Sequence, residues 1–316
     1  VSATSIIHAL CVCGPTSSGK SDVALAAAEE VGGEIVNADS RQIYEGMLVG
    51  TGWPSADAMA RVTHHLYGII SPADRYSAAR FVSDARITIE EIAARGRLAV
   101  LVGGTGLYIE ALAGTMPIDR PAGSDELRSR VRREVQLHSH DTLREWLGAL
   151  DPVAAQRVSA GDRYRTIRAL EAVLAKREEH PERASALTKP RAPVTQIRLS
   201  ILVMHVARAE LRLRIAARVR AMFAAGLEEE ARSIRARWPE APALSSIGYA
   251  EALAIADGTA TRTEAISRCT LRTSQYAARQ DTWFRRLRTA HVIEASDRTA
   301  ASRAVTAAAR ETAAGT

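Results

Sequence analysis

An α/β core with a parallel sheet flanked by helices, interrupted by an inserted all-helical domain, is predicted by three features of the sequence. Short apolar runs alternate with helical patterns through the first 115 residues, as expected for strands covered on both faces by crossover helices. A glycine-rich turn joins the first apolar run to the first helical pattern. After Gly114 the chain becomes Arg-rich and helical in composition, and no convincing strand returns until about residue 197. These features place the core at 1–115 and 195–296, the helical insertion at 116–194 and a C-terminal tail at 297–316.

The first strand is the apolar run at residues 6–13, which ends at Gly14, and a helix runs from Lys20 to Val31. A short strand at 34–38 ends at Asp39. Residues 77–95 carry Phe81, Val82, Ala85, Ile89 and Ile92 at helical spacing, and Gly96 closes that helix. Residues 98–102 form a second β-branched strand ending in Gly103-Gly104. Residues 124–180 read as helical, and Pro181, Pro190 and Pro193 punctuate the stretch between them and the next strand. That strand, at 197–205, leads into one long helix at 207–237, with Leu211, Ile215, Val219, Met222 and Leu227 as its stripe. The Ala- and Thr-rich end is expected to be a helix that frays into a tail.

Bulk composition narrows the class. With 47% hydrophobic and 25% charged residues in 316, the chain has the balance of an ordinary soluble domain. No apolar run reaches the roughly 18 residues of a membrane span. The 6–13 run carries His8, has no basic flank and enters a Gly-rich loop, so it reads as a strand and not a signal peptide. Cys11, Cys13 and Cys269 are odd in number and lack zinc spacing. The first two face one side of a strand as packing residues, and a reducing cytoplasm is expected. A net charge of +6 and a pI near 9.5 are compatible with a nucleic-acid partner. Among 42 basic residues only Lys20, Lys176 and Lys189 are lysines, which draws attention to where those three stand.

Lys20 stands in the strongest motif. Gly14-Pro15-Thr16-Ser17-Ser18-Gly19-Lys20-Ser21 matches G-x-x-x-x-G-K-[ST], with a strand before and a helix after. In such a P-loop the backbone N–H groups converge on phosphate oxygens and the helix N-terminus adds its dipole. Lys20 supplies positive charge, and the Ser21 hydroxyl is a ligand for Mg²⁺. Many P-loop nucleoside triphosphatases end a later strand in an Asp that helps to hold the metal. Here that strand ends in Gly103-Gly104-Thr105-Gly106, and the acid is Asp39, after the P-loop helix. Its position suits a metal ligand, a general base or a helix N-cap equally.

Taken in order, the P-loop, Asp39-Ser40-Arg41-Gln42-Ile43-Tyr44, Gly50-Thr51-Gly52, His64-His65-Leu66, Gly103-Gly104-Thr105-Gly106-Leu107-Tyr108, Arg168-Ala169-Leu170-Glu171, Ile247-Gly248-Tyr249 and Arg279-Gln280-Asp281-Thr282-Trp283-Phe284-Arg285 resemble the tRNA dimethylallyltransferase (tRNA isopentenyltransferase) family over nearly the whole chain. The resemblance implies transfer of a dimethylallyl group from dimethylallyl diphosphate to N6 of the adenosine 3′ to the anticodon. The P-loop would hold the diphosphate with Mg²⁺. Asp39 matches the family's general base and Thr105 its Gly-Gly-Thr hydroxyl, and Arg214 is taken as the further cation for the leaving group. Contacts with the tRNA anticodon stem-loop are implied for Asp39, Ser40, Arg41, Gln42, Thr105, Arg128, Tyr164, Arg165, Arg168, Ser246, Ile247, Gly248, Tyr249, Arg279, Gln280 and Arg285. A monomer is expected, since one chain carries every part.

Three positions depart from the family pattern. Trp53 stands where many members have Lys, Tyr67-Gly68 stand where an acid is common, and Ala278 replaces a frequent Lys. His64 and His65 have no matching Cys or carboxylate cluster and read as structural. The alternatives are a small-molecule P-loop kinase, an enzyme prenylating free adenine nucleotides and a pure RNA-binding module. The Arg-rich insertion favours tRNA over a free nucleotide, and a binding module has no use for Lys20, Ser21 and Asp39 together.

Overall fold

A computed structural model of the chain describes residues 5–115, 131, 134–135, 138–159, 161–179, 195–287 and 289–315. Its first strand, β1 (Ser5–Cys13), is apolar on both faces because both are covered. Leu10 and Val12 enter one buried cluster, and Ala9, Cys11 and Cys13 enter the other. Cys11 and Cys13 are free and buried, and burial pushes the Cys13 thiol up.

Six described strands form one parallel sheet in the order β3-β2-β4-β1-β5-β6. They are β1, β2 (Glu34–Asn37), β3 (His64–His65), β4 (Ala99–Gly103), β5 (Thr195–His205) and β6 (His291–Glu294). β3 and β6 are too short and too exposed to show as apolar runs. The histidines of β3 have partners close by. His65 Nε2 lies 2.6 Å from Glu34 Oε2, and His64 Nδ1 lies 2.7 Å from the Val62 carbonyl.

Helix α1 (Lys20–Val31) ends at Gly32, whose φ of 64° lets its N–H cap the Ala28 and Glu29 carbonyls. α2 is Ala56–Arg61. α3 (Ala78–Ala94) starts at Ser77, whose side chain accepts from the Arg80 amide, and α4 is Gly106–Leu112. α3 and α4 cover one face of the sheet, where Phe81 stacks on Tyr108 with ring centroids 4.3 Å apart.

The chain divides into two compact units, Val1–Met116 with Pro193–Thr316, and Pro117–Ala192. Within the second, α5 (His140–Leu150), α6 (Pro152–Arg157) and α7 (Arg163–Glu179) pack around Leu143, Leu147, Leu170 and Val173. Ser139 and Asp151 cap the first two of these helices.

Two expectations are corrected here. The single helix at 207–237 is two, α8 (Arg208–Ala224) and α9 (Leu227–Arg237). Gly226, at φ 98°, breaks the run, and Glu228, Glu229 and Glu230 then occupy the first turn of α9, where negative charge complements the helix dipole. The expected terminal helix is present as α12 (Arg298–Ala314), but it stays helical to Ala314 where fraying into a tail was expected. Its Ala301, Val305 and Ala309 are buried in the same cluster as Ala24, Ala27 and Ala28 of α1. Small residues on both helices allow the close approach, and Arg310 pairs with Glu30 at 2.5 Å. Between α9 and α12 lie α10 (Tyr249–Ala256) and the long α11 (Arg262–Phe284).

Candidate active site

Three loops meet at the carboxyl ends of β1, β2 and β4, the edge at which open parallel sheets bind ligands. The first is the P-loop. Gly14 has no room for a side chain, since a Cβ there would lie 2.7 Å from the Met204 carbonyl of β5. Ser17 takes a left-handed conformation at φ 65° and Gly19 one at 86°. Such strain in a non-glycine residue persists where the surroundings over-determine it. The Ser17 and Ser18 hydroxyl oxygens are buried with no hydrogen-bond partner among the described residues. Lys20 is 9% exposed and donates to the Pro15 carbonyl across a long 3.4 Å. Burial lowers its pKa to about 8, against the opposing pull of Asp39. Ser21 lies on the exposed side of the first turn of α1.

The second loop carries Asp39. Asn37, fully buried, accepts from the Asp39 amide at 2.8 Å and donates to the Asp39 and Leu66 carbonyls at 3.2 and 2.9 Å. Asp39 Oδ1 accepts from the Arg41 amide at 2.9 Å, an Asx turn. No helix starts at Asp39, so the N-cap reading is discarded. The third loop follows β4. A Cβ on Gly103 would collide with the Ala38 backbone. That closeness brings the Ser40 amide to Thr105 Oγ1 at 2.9 Å and the Thr105 amide to the Ala38 carbonyl at 3.3 Å. Asp39 and Thr105 are therefore held together by backbone contacts between their loops.

Gln280 of α11 ties the first loop to the third. Its Oε1 accepts from the Thr16 amide at 2.9 Å, and its Nε2 donates to the Gly104 carbonyl at 2.8 Å. It is 5% exposed. Both ends of the Gln280 amide are thus engaged inside the core unit, where an RNA contact was expected.

Arg214 and Arg218 lie one turn apart on α8, and the structure separates their roles. Arg214 donates to Glu210 at 2.5 Å, to the Ala295 carbonyl at 3.0 Å and to the Ser18 carbonyl at 3.5 Å. It buttresses the P-loop from behind. Arg218 donates to the Thr51 carbonyl at 3.2 Å and stands within electrostatic reach of both Lys20 and Asp39. Burial lowers its pKa and Asp39 acts in the opposite sense. Arg218 is thus the arginine of this helix coupled to Lys20 and Asp39, while Arg214 touches the P-loop backbone. The sequence offers no signal that separates two arginines four residues apart on one helix face.

Tyrosines surround Asp39. Burial first, then the Asp39 charge, raises the phenols of Tyr67 and Tyr276, the latter to about 12. Tyr108 is raised by burial, with smaller contributions from Tyr44 and Asp39. A carboxylate beside Lys20, Arg218 and Thr105, under an aromatic rim, can accept a proton while the cations hold an anionic leaving group.

The remaining positions with an expected RNA contact divide by exposure. Arg41, Arg279 and Arg285 are exposed, with Arg279 5.9 Å from the Tyr276 ring and Arg285 bonded to Asp281 at 2.6 Å. Ser40 is half-buried, and Gln42 donates to the Thr51 and Gly52 carbonyls at 3.3 and 2.8 Å. Tyr249 is 0% exposed and Ser246 5%. The Gly248 amide is taken by Glu251, and Ile247 packs on the core. Residues 246–249 thus pack largely inside the core unit, with the Ser246 hydroxyl buried and without a hydrogen-bond partner among the described residues. In the second unit Tyr164 is 73% exposed, Arg165 sits 3.3 Å from Asp162 and Arg168 pairs with Glu171. Arg128 lies outside the described residues.

Comparison with known proteins accords with this arrangement. The chain matches the IPP transferase family over residues 42–287 and the isopentenyl transferase family over residues 7–71. It is 43% identical to a tRNA dimethylallyltransferase of Anaeromyxobacter dehalogenans, with 88% of this chain and 91% of that protein covered. It is 42% identical to a tRNA dimethylallyltransferase of Halorhodospira halophila, with 87% and 89% covered. The crystal structure of the full-length tRNA isopentenylpyrophosphate transferase of Bacillus halodurans superposes with a TM-score of 0.68 at 29% identity, covering 98% of each chain. With matches spanning the sheet, the three loops and the helices behind them, this chain belongs to the IPP transferase family of prenyl transferases.

Proposed function

We propose that this chain transfers a dimethylallyl group from dimethylallyl diphosphate to N6 of the adenosine on the 3′ side of a tRNA anticodon. The observation that carries the reading is the placement of Asp39 within electrostatic reach of two cations, buried Lys20 and half-buried Arg218, at the mouth of a P-loop. In this reaction a bond forms between the adenine N6 and the allylic carbon, and the carbon–oxygen bond to diphosphate breaks. The exocyclic amine is a weak nucleophile, and Asp39 accepts its proton as the new bond forms. The negative charge that develops on the leaving diphosphate is met by the P-loop amides, Lys20 and Arg218. Thr105 fixes the Asp39 loop through the Ser40 amide.

Mg²⁺ fits the donors present. Among the described residues there is no cluster of three His, Cys, Asp or Glu side chains suited to a metal cage. A hydroxyl such as Ser21, with substrate oxygens and water, is the set that Mg²⁺ takes. When bound, it would neutralise part of the diphosphate charge. Exposed Arg41, Tyr164, Arg165, Arg279 and Arg285 are the side chains available to an anticodon stem-loop. Arginine suits phosphate, and an exposed tyrosine suits an unstacked base. No described helix is long and apolar enough to cross a membrane.

The test is transfer of radiolabelled dimethylallyl from its diphosphate to unmodified tRNA, with Asp39→Ala alongside. Label in tRNA with the native protein, and a loss of at least about 100-fold with Asp39→Ala, is the expected result. ATP consumed with a small acceptor, and no label in tRNA, would establish the kinase alternative instead.

A further inference from the structure

The loop at 47–53 is built around a carboxylate from a distant helix. Glu230, in the first turn of α9, accepts from three successive amides, Leu48 at 2.9 Å, Val49 at 2.8 Å and Gly50 at 3.0 Å. Its Oε1 also accepts from the Tyr249 hydroxyl at 2.6 Å. Gly50 is required at that point, since a Cβ there would collide with the Tyr249 ring. The loop closes on itself through Trp53 N–H to the Leu48 carbonyl at 3.0 Å and Thr51 Oγ1 to the Met47 carbonyl at 2.5 Å.

The loop turns its carbonyls towards the site. The Thr51 carbonyl receives Arg218 at 3.2 Å, and the Thr51 and Gly52 carbonyls receive Gln42. Gly52, at φ 65°, has no space for a Cβ beside the Arg218 guanidinium. Thr51 is the hydrogen-bond acceptor for Arg218 among the described residues, so the orientation of this cation depends on where Thr51 is held.

We infer that Glu230, with Tyr249, is a positioning residue for phosphate binding: it fixes the 48–52 loop so that Thr51 aims Arg218 at the anion held by the P-loop. The inference rests on the proposed use of the P-loop and Arg218 for a diphosphate. Glu230 touches no substrate in this scheme. Replacing it with Gln puts an amide N–H against amide donors, so at least one of the three loop contacts is lost, and Arg218 keeps its charge but loses its aim.

The experiment is calorimetric titration with inorganic pyrophosphate and Mg²⁺ for the native protein, Glu230→Gln, Tyr249→Phe, Arg218→Gln and the Arg218→Gln/Glu230→Gln pair. Loss of one or two hydrogen bonds' worth of organisation predicts about tenfold weaker binding for Glu230→Gln and about threefold for Tyr249→Phe. In the Arg218→Gln background the second change should have no further effect, because what it positions is already gone. A Glu230→Gln penalty that persists undiminished without Arg218 would overturn the inference and assign Glu230 to general folding. Native-like binding by Glu230→Gln would overturn it also. Should Glu230→Gln fail to fold, Tyr249→Phe in the presence and absence of Arg218 decides the same question. No pyrophosphate binding by the native protein would overturn the phosphate reading itself, and this inference with it.

Discussion

Replacing Lys20 by Met should stabilise the ligand-free protein at pH 7 and abolish its response to pyrophosphate. Burial lowers the Lys20 pKa from 10.5 to about 8, a differential of about 3 kcal/mol against the charged form in the folded state. Its long hydrogen bond to Pro15 returns about 1 kcal/mol of that, which leaves a net gain of about 2 kcal/mol for the Met variant. The pH dependence has a fixed sign. A depressed cationic pKa means that the unfolded chain binds more protons between about 8 and 10.5, so native stability rises with pH through that window. Below about pH 8 the full cost is present. Urea denaturation of both proteins from about pH 7 to pH 10 measures the gap, which should be near about 2 kcal/mol at pH 7 and shrink towards pH 10. Pyrophosphate at about 100 times its Kd should add about 2.7 kcal/mol to the native protein and nothing to the variant. A variant less stable than native at pH 7, or a gap that does not change with pH, would refute the view of Lys20 as a desolvated cation poised for an anion.

Two further changes test the site more locally. Arg218→Gln should weaken pyrophosphate binding at least about tenfold with little change in urea midpoint. Arg214→Gln should show the reverse emphasis, a stability loss of about 1–2 kcal/mol from its contacts with Glu210 and the Ala295 and Ser18 carbonyls; equal effects on binding would contradict the division of roles on α8. Gly68→Ala should destabilise by about 2–3 kcal/mol, because Gly68 sits at φ 60° and a Cβ would lie 2.6 Å from Trp53 Cη2. In a Trp53→Ala background only the backbone part, about 1 kcal/mol, should remain, and a penalty that stays whole would show the two sites to be independent.

The alternation of strand and helix was legible because each early strand is buried on both faces, so its apolar run survives in the sequence. The P-loop was legible because backbone conformation there demands glycine. Asp39 and Thr105 were recognised through the order of motifs around them, whereas Asn37, which holds Asp39 in place, lies in a strand with nothing to mark it. Arg218, Gln280 and Glu230 each bond to a loop between 167 and 264 residues away, and no local pattern records such distances. The break at Gly226 was readable: a glycine, then Leu227 and three glutamates in a first turn, marks a helix start. The motif residues at 246–249 gave no sign of their burial, since a segment shared with a family can be retained for packing as well as for contact with a substrate. Trp53 and Gly68, separate departures in the sequence, pack against one another, with Trp53 edge-on to Tyr67 at 5.7 Å, and so form one substitution in three dimensions.

The placement of β1 between β4 and β5 bears on the length of chain that links those two strands. β4 ends at Gly103 and β5 begins at Thr195, yet both zip onto the same nine-residue strand. The entropy of closing the connection between them grows only logarithmically, about 0.6 kcal/mol for each doubling of its length. Lengthening or shortening the second unit, Pro117–Ala192, therefore taxes the sheet very little. A chain so connected can change its second unit in size while the three loops at the strand ends keep their geometry.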